Sequence, residues 1–267
     1  EEERLVAALR PAFGDDLAVV FHNRPAGVAP PLPVIDIGED WVVREGLALV
    51  PDWGWRCGDY FYYALRQARP AHDHYWLIEP DVFFTSDPSE LFAGFATASE
   101  DVLGFRLGRF AEKNRFTHGL PGMDHHRAIF ALTRFSGRAL DRLFAQRRAM
   151  AARPVSVRGY PNDEIFAFSH AAADPELVLG RLEDRAAGWF EDAQFASDPD
   201  LLFDAVARAC PPGKVLHPVR GRAYFKQALG RRLVANTGIL MRMREAIDTL
   251  DADEIEEIAN VAAGHVR

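Results

Sequence analysis

The chain has 267 residues, 48% of them hydrophobic, 26% charged and 11% aromatic, with a formal net charge of -8. That content supports a substantial core, in one large domain or two small ones, and excludes a solvated, disordered chain. The acidity excludes a general nucleic-acid coat, although a local basic pocket can still hold a small anion.

Of the 31 basic residues only Lys113, Lys214 and Lys226 are lysines, so arginine carries nearly all the positive charge. That usage suits bidentate phosphate or carboxylate contacts and equally reflects a biased base composition. The two cysteines, Cys57 and Cys210, form no disulfide framework and no four-ligand zinc set, and a free pair in a cytoplasmic protein is the simpler expectation. No apolar run approaches the roughly 20 residues that cross a bilayer, and EEERLVAALR lacks the pattern of a signal peptide. The expected location is cytoplasmic, or peripheral at the cytoplasmic side of a membrane.

In chain order, the first ten residues read as an acidic helix that ends before Pro11. LAVVFH at 17–22, PLPVIDIG at 31–38 and GLALV at 46–50 read as extended segments. Gly58 and Asp59 start a helix that runs to Ala68 and is stopped by Pro70, and Tyr75-Trp76-Leu77-Ile78 reads as a buried strand. Pro88 opens another helix, residues 101–105 and 127–136 read as strands, and a helix fills 137–152. Further helices are expected beside Pro161, over 198–210, around YFKQAL and in DADEIEEIANVAAGHV. The alternation of strands with amphipathic helices predicts an α/β layer structure with a mostly parallel central sheet.

The strand YWLI ends in Glu79-Pro80-Asp81, two carboxylates two positions apart at the carboxyl end of a strand. Ligands of open α/β sheets collect there, and paired carboxylates suit a hard divalent cation that also bridges phosphate oxygens. The bland reading is a proline-terminated strand with two solvated acids.

The segment YWLIEPDVFFTSDP resembles the hydrophobic strand and D-x-D-type turn of the nucleotide-sugar-dependent glycosyltransferases of the GT-A fold, with Glu79 in the first acidic position and Asp81 in the second. The resemblance implies a GT-A-like nucleotide-diphospho-sugar transferase fold with a Rossmann-like, mostly parallel sheet flanked by helices. Residues 1–230 form its catalytic domain, with 11–105 mainly binding nucleotide sugar and 106–230 mainly binding acceptor, and 231–267 a helical extension. It implies Mn²⁺ or Mg²⁺ on Glu79, Asp81 and the late His217 of KVLHPVRG, a nucleotide-diphosphate sugar as donor and a hydroxyl-bearing glycan or other acceptor. Asp163 or Glu164 of GYPNDEIF takes the acceptor proton, with ordinary helix capping as the competing role. Lys214, Arg220 and Lys226 balance diphosphate charge. Asp36 or Asp40 meets ribose or base. In WGWRCGDY, Arg56 faces phosphate, Trp53 or Trp55 offers a stacking surface, and Asp59 caps a helix or contacts a sugar hydroxyl.

Two other functions stay open at this point. His72-Asp73-His74 and Asp124-His125-His126 contain transition-metal ligands and suggest a metal-dependent phosphoesterase or hydrolase. A non-catalytic carbohydrate-binding protein is the third reading. Rossmann, P-loop, G-x-S-x-G and H-E-x-x-H signatures are absent, which lowers the dehydrogenase, kinase and serine-hydrolase readings.

Overall fold

A computed structural model describes residues 2–111, 114–153, 156–235 and 243–265. The chain opens with α1 (Glu2–Phe13), β1 (Val19–His22), β2 (Val34–Ile37), α2 (Glu39–Arg44), α3 (Trp53–Arg56), α4 (Asp59–Ala68), β3 (His74–Ile78), β4 (Phe83–Phe84) and α5 (Ser89–Ala93). The middle holds β5 (Val102–Arg109), β6 (His126–Ser136), α6 (Gly137–Ala151), α7 (Asp163–Ala173), β7 (Leu179–Arg181) and α8 (Leu182–Ala186). Then come β8 (Leu201–Leu202), α9 (Phe203–Ala209), β9 (Val215–Leu216), β10 (Val219–Arg220), α10 (Arg222–Ala235) and helices at Arg244–Ile247 and Ala252–His265.

These elements form two compact units that interleave along the chain. Residues 13–78 and 94–185 make one, and residues 1–12, 79–93 and 186–267 the other.

The first unit contains a mixed four-stranded sheet in the order β3-β6-β5-β7 and a parallel β1-β2 pair. Its central sheet corrects the expectation of a mostly parallel one. Strand β6 pairs antiparallel with both β3 and β5, and the parallel pairing in that sheet is β5 with β7. The cause lies between β5 and β6: the described residues there form no long crossover helix, and Phe110 donates its amide to the His125 carbonyl at 2.7 Å. A return without a crossover gives antiparallel neighbours, whereas α6 and α7 supply the crossover that a parallel β7 needs.

Side chains explain the local starts and stops. Ser136 caps α6 by accepting the Ala139 amide at 3.0 Å, and Asn162 caps α7 by accepting that of Ile165 at 3.3 Å. Helix α4 buries Tyr60, Tyr62, Tyr63 and Ala64 against the core formed with Phe130, Phe135 and Phe166. Asp101 accepts from Ser136 Oγ at 2.7 Å and from the Val178 amide at 3.0 Å, tying β5 to the ends of β6 and β7. Burial raises the cost of its charge, but Arg138, Val178 and Ser136 together hold its carboxyl below the usual carboxylate range.

Two expectations about this end of the chain fail for identifiable reasons. Helix α1 continues through Pro11 to Phe13, so the proline lies in the last turn and the helix needs only a few residues beyond it. GLALV at 46–50 forms no strand: Gly46 takes a positive φ of 71° and Leu47 and Val50 reach the core from irregular backbone.

In the second unit, β4 pairs antiparallel with β9 and β10 pairs parallel with β8. Leu202, Phe225, Leu229, Met243 and Ile258 form one apolar cluster, so α10 and the C-terminal helix at Ala252–His265 share a core with β8. Residues 198–210, expected as one helix, are irregular over 198–200, form strand β8 at Leu201–Leu202 and become helical only at Phe203.

Candidate metal centre

Three short pieces of the second unit build the centre. Glu79 and Asp81 sit at a turn in which the Val82 amide donates to the Glu79 carbonyl at 3.0 Å. Phe83 and Phe84 then pair with Leu216 and Val215, and the Val219 amide donates to the Asp81 carbonyl at 2.8 Å. This ladder lays the acidic turn beside the β9–β10 connection, where His217 stands. His217 in turn donates its backbone amide to Gln194 O at 2.8 Å and accepts from Ala196 N at 3.1 Å.

Ligand atoms of Glu79, Asp81 and His217 all lie within 4.8 Å of one another. His217 Nε2 is 3.5 Å from Glu79 Oε2 and 3.5 Å from Asp81 Oδ1. At the far side of the ring, His217 Nδ1 lies 2.7 Å from the Ala196 carbonyl, which can only accept, so Nδ1 carries the proton. A hydrogen bond of this kind leaves the Nε2 lone pair of the neutral ring directed at the two carboxylates.

Asp81 is 4% exposed and Glu79 is half-buried, so two negative charges converge where little water reaches one of them. Burial pushes the Asp81 carboxyl above its ordinary range and neighbouring Glu79 adds to that, against the pull of His217 and Arg220. Burial alone depresses His217, but Glu79 and Asp81 outweigh it and raise the imidazole above its ordinary value. Both directions favour the protonated form of the group concerned.

Two carboxylates and one imidazole are a suitable donor set for Mn²⁺ or another divalent first-row ion. With ligand bonds of about 2.1 Å, adjacent donors of an octahedron stand about 3.0 Å apart and opposite ones about 4.2 Å. The two 3.5 Å spacings from His217 fall between these limits.

Of the three basic candidates, Arg220 contacts the acidic turn. Arg220 Nη2 is 2.5 Å from Asp81 Oδ2, its Nε is 3.4 Å from Asp200 Oδ1, and the guanidinium stands 4.4 Å from the Tyr224 ring centroid. Lys214 pairs with Glu191 at 2.5 Å and donates to Gly188 O at 3.0 Å, while Lys226 pairs with Glu257. Asp200, 4% exposed, stood out in no sequence pattern; its position before β8, whose Leu202 is the register partner of Arg220, is what brings it here.

The remaining candidate residues belong to the first unit. Asp59 is 1% exposed, and its two oxygens accept from Arg147 Nε at 2.7 Å and Nη2 at 2.9 Å, with Tyr63 Oη a further donor at 2.8 Å. Arg56 donates to the Val157 carbonyl at 2.7 Å and to Asp52 at 3.3 Å. Trp53 is buried edge-on against His22, whereas Trp55 is 66% exposed, 6.4 Å from the Phe116 ring. Asp163 accepts the Gly58 amide at 2.8 Å and the Glu164 amide at 2.7 Å, which braces the start of α4 against that of α7; Glu164 is half-buried. Asp36 forms a two-pronged ion pair with Arg24 and, with Asp40, lines an open depression of about 530 Å³ beyond the ends of β1 and β2.

The two histidine clusters disperse. His72 is 3.9 Å from Asp16, His125 contacts Leu120 O at 3.0 Å, and Asp124 pairs with Arg109. Among the described residues Glu79, Asp81 and His217 are the group of metal-ligating side chains close enough to share one ion. Cys57 and Cys210 are both free thiols, and burial, its largest effect, pushes the Cys57 thiol up to about 12, so it is no nucleophile at neutral pH. No described helix is long and apolar enough to cross a membrane.

Comparison of the chain with protein-family models, with curated proteins and with solved structures gave no match.

Proposed function

We propose that this protein is a metal-dependent glycosyltransferase that moves a sugar from a nucleotide-diphosphate sugar to a hydroxyl acceptor, with a role in surface polysaccharide or glycoconjugate synthesis. The observation that carries the reading is the convergence of Glu79, Asp81 and His217, from two separate segments of the second unit, with ligand atoms within 4.8 Å of one another. They are the three residues that the GT-A resemblance assigns to the metal.

In this reading Glu79, Asp81 and His217 hold Mn²⁺ or Mg²⁺, which supplies charge neutralisation to a departing diphosphate. His217 presents Nε2 because Ala196 fixes its other nitrogen. Arg220, Lys214 and Lys226 are the basic side chains of the same unit assigned to the diphosphate. Asp163 or Glu164 is the proton acceptor that the resemblance implies, and both oxygens of Asp163 accept backbone amides.

The test is a screen of nucleotide sugars with purified full-length protein, with and without Mn²⁺, read as release of nucleoside diphosphate. Metal-dependent release that is absent in Asp81→Asn supports the transferase reading. Turnover of a simple phosphoester, with no response to any nucleotide sugar, supports the hydrolase instead. Glycan binding with neither reaction leaves the carbohydrate-binding protein.

A further inference from the structure

Asp81 and Asp200 are each 4% exposed, and a single guanidinium serves both. Arg220 is unevenly shared: it lies 2.5 Å from Asp81 Oδ2 but 3.4 Å from Asp200 Oδ1, the latter at the outer edge of hydrogen bonding. Its guanidinium stands 4.4 Å from the Tyr224 ring centroid, and its side chain is 22% exposed, so it is held in place without being locked in. The Asp81 oxygen that Arg220 occupies is the neighbour of the oxygen that faces His217.

A divalent cation entering between Glu79, Asp81 and His217 brings two positive charges next to a third. It satisfies the Asp81 charge and repels Arg220 in one event. Asp200 is the acceptor within reach, and closing a 3.4 Å contact needs only a small movement.

We propose that Arg220 is the resident counter-ion of the metal centre, which pairs with Asp81 while no cation is bound and passes to Asp200 when one binds, so that this exchange sets metal affinity. The inference deepens the metal-site reading and rests on it. It makes Arg220 and Asp200 positioning residues with opposite effects: the first opposes metal binding by competing for Asp81, and the second assists it by receiving the competitor.

The test is a Mn²⁺ titration of the full chain, without nucleotide, in which unbound Mn²⁺ is read from its electron paramagnetic resonance signal. Arg220→Met keeps an unbranched side chain over Tyr224 and removes the competition, so Kd should fall about tenfold, within the usual range of coupling between sites. Asp200→Asn removes the receiving charge, so Kd should rise about fivefold. Circular dichroism and thermal melting establish that each variant is folded. If Arg220→Met does not fold, Asp200→Asn decides alone. Loss of affinity in both variants marks a merely structural pair and overturns the proposal, as does an unchanged Kd in a folded variant. Failure of the wild type and of both variants to bind Mn²⁺ refutes the metal site itself, whereas wild-type binding with unshifted variants refutes only the exchange.

Discussion

Removing the Asp59 carboxylate should unfold the first unit under milder conditions rather than weaken ligand binding in a stable protein. Arg147 is fully buried, donates twice to Asp59 and once to Pro161 O at 3.0 Å, and lies 3.7 Å from the centroid of Phe166. Asp59→Ala leaves that guanidinium without its counter-charge in an apolar site, and Tyr63 Oη loses its acceptor as well. Breaking one side of such a buried pair costs about 3–5 kcal/mol, a large part of the 5–15 kcal/mol that holds a typical domain together. Urea unfolding followed by circular dichroism at fixed pH measures the loss. A double variant, Asp59→Leu with Arg147→Met, should recover part of it, since apolar replacement removes both desolvation costs together. A single-variant loss below about 1 kcal/mol would refute the reasoning and free Asp59 for a ligand role.

Four further outcomes follow from other residues. His170 is largely buried beside Phe166, its Nε2 has no hydrogen-bond partner among the described residues, and burial lowers its pKa from 6.5 to about 4. Its neutral form is the stable one, so its contribution is fully present above pH 6.5 and declines as pH falls toward 4, by about 3 kcal/mol in all. Urea midpoints measured across that range should flatten in His170→Leu, and an unchanged slope contradicts the assignment. Asp163→Ala should cost about 1–3 kcal/mol by stranding the Gly58 and Glu164 amides, whereas Glu164→Gln should keep stability and nucleotide binding but lose transfer. Normal transfer by Glu164→Gln removes it from the chemistry. Gly58→Ala should destabilise too, because its added methyl carbon meets Asp163 Oδ2 at 2.5 Å and the Phe130 ring at 3.0 Å; a thermal midpoint equal to wild type contradicts that packing.

Local chemistry was readable wherever punctuation and periodicity agreed. Pro70 closes the helix from Asp59 to Ala68, Ser136 opens that of Gly137–Ala151, and the strands at His74–Ile78 and His126–Ser136 stand within a residue of the positions that their apolar runs imply. The direction of the strands was not readable from those runs. Strand β6 is apolar enough for either pairing, and the signal lay in the polar stretch between 110 and 125, whose described residues form no long helix and so give a direct return. Metal-ligating types were legible in Glu79, Asp81 and His217, and their meeting depends on the β4–β9 pairing, which two-residue strands announce only weakly. Asp59 shows the opposite limit: its first-turn position in α4 reads as a cap, while its partner Arg147 lies 88 positions away on α6.

The most direct test of the account is whether metal and nucleotide stabilise the protein jointly through Asp81. Thermal unfolding of wild type and Asp81→Asn should be followed with Mn²⁺ alone, with each common nucleoside diphosphate alone, and with both together. The account predicts, for at least one nucleotide, a midpoint increase with both ligands that exceeds the sum of the separate increases, and the disappearance of that excess in Asp81→Asn. Additive or absent effects in folded wild-type protein, or an excess that survives in Asp81→Asn, would contradict it.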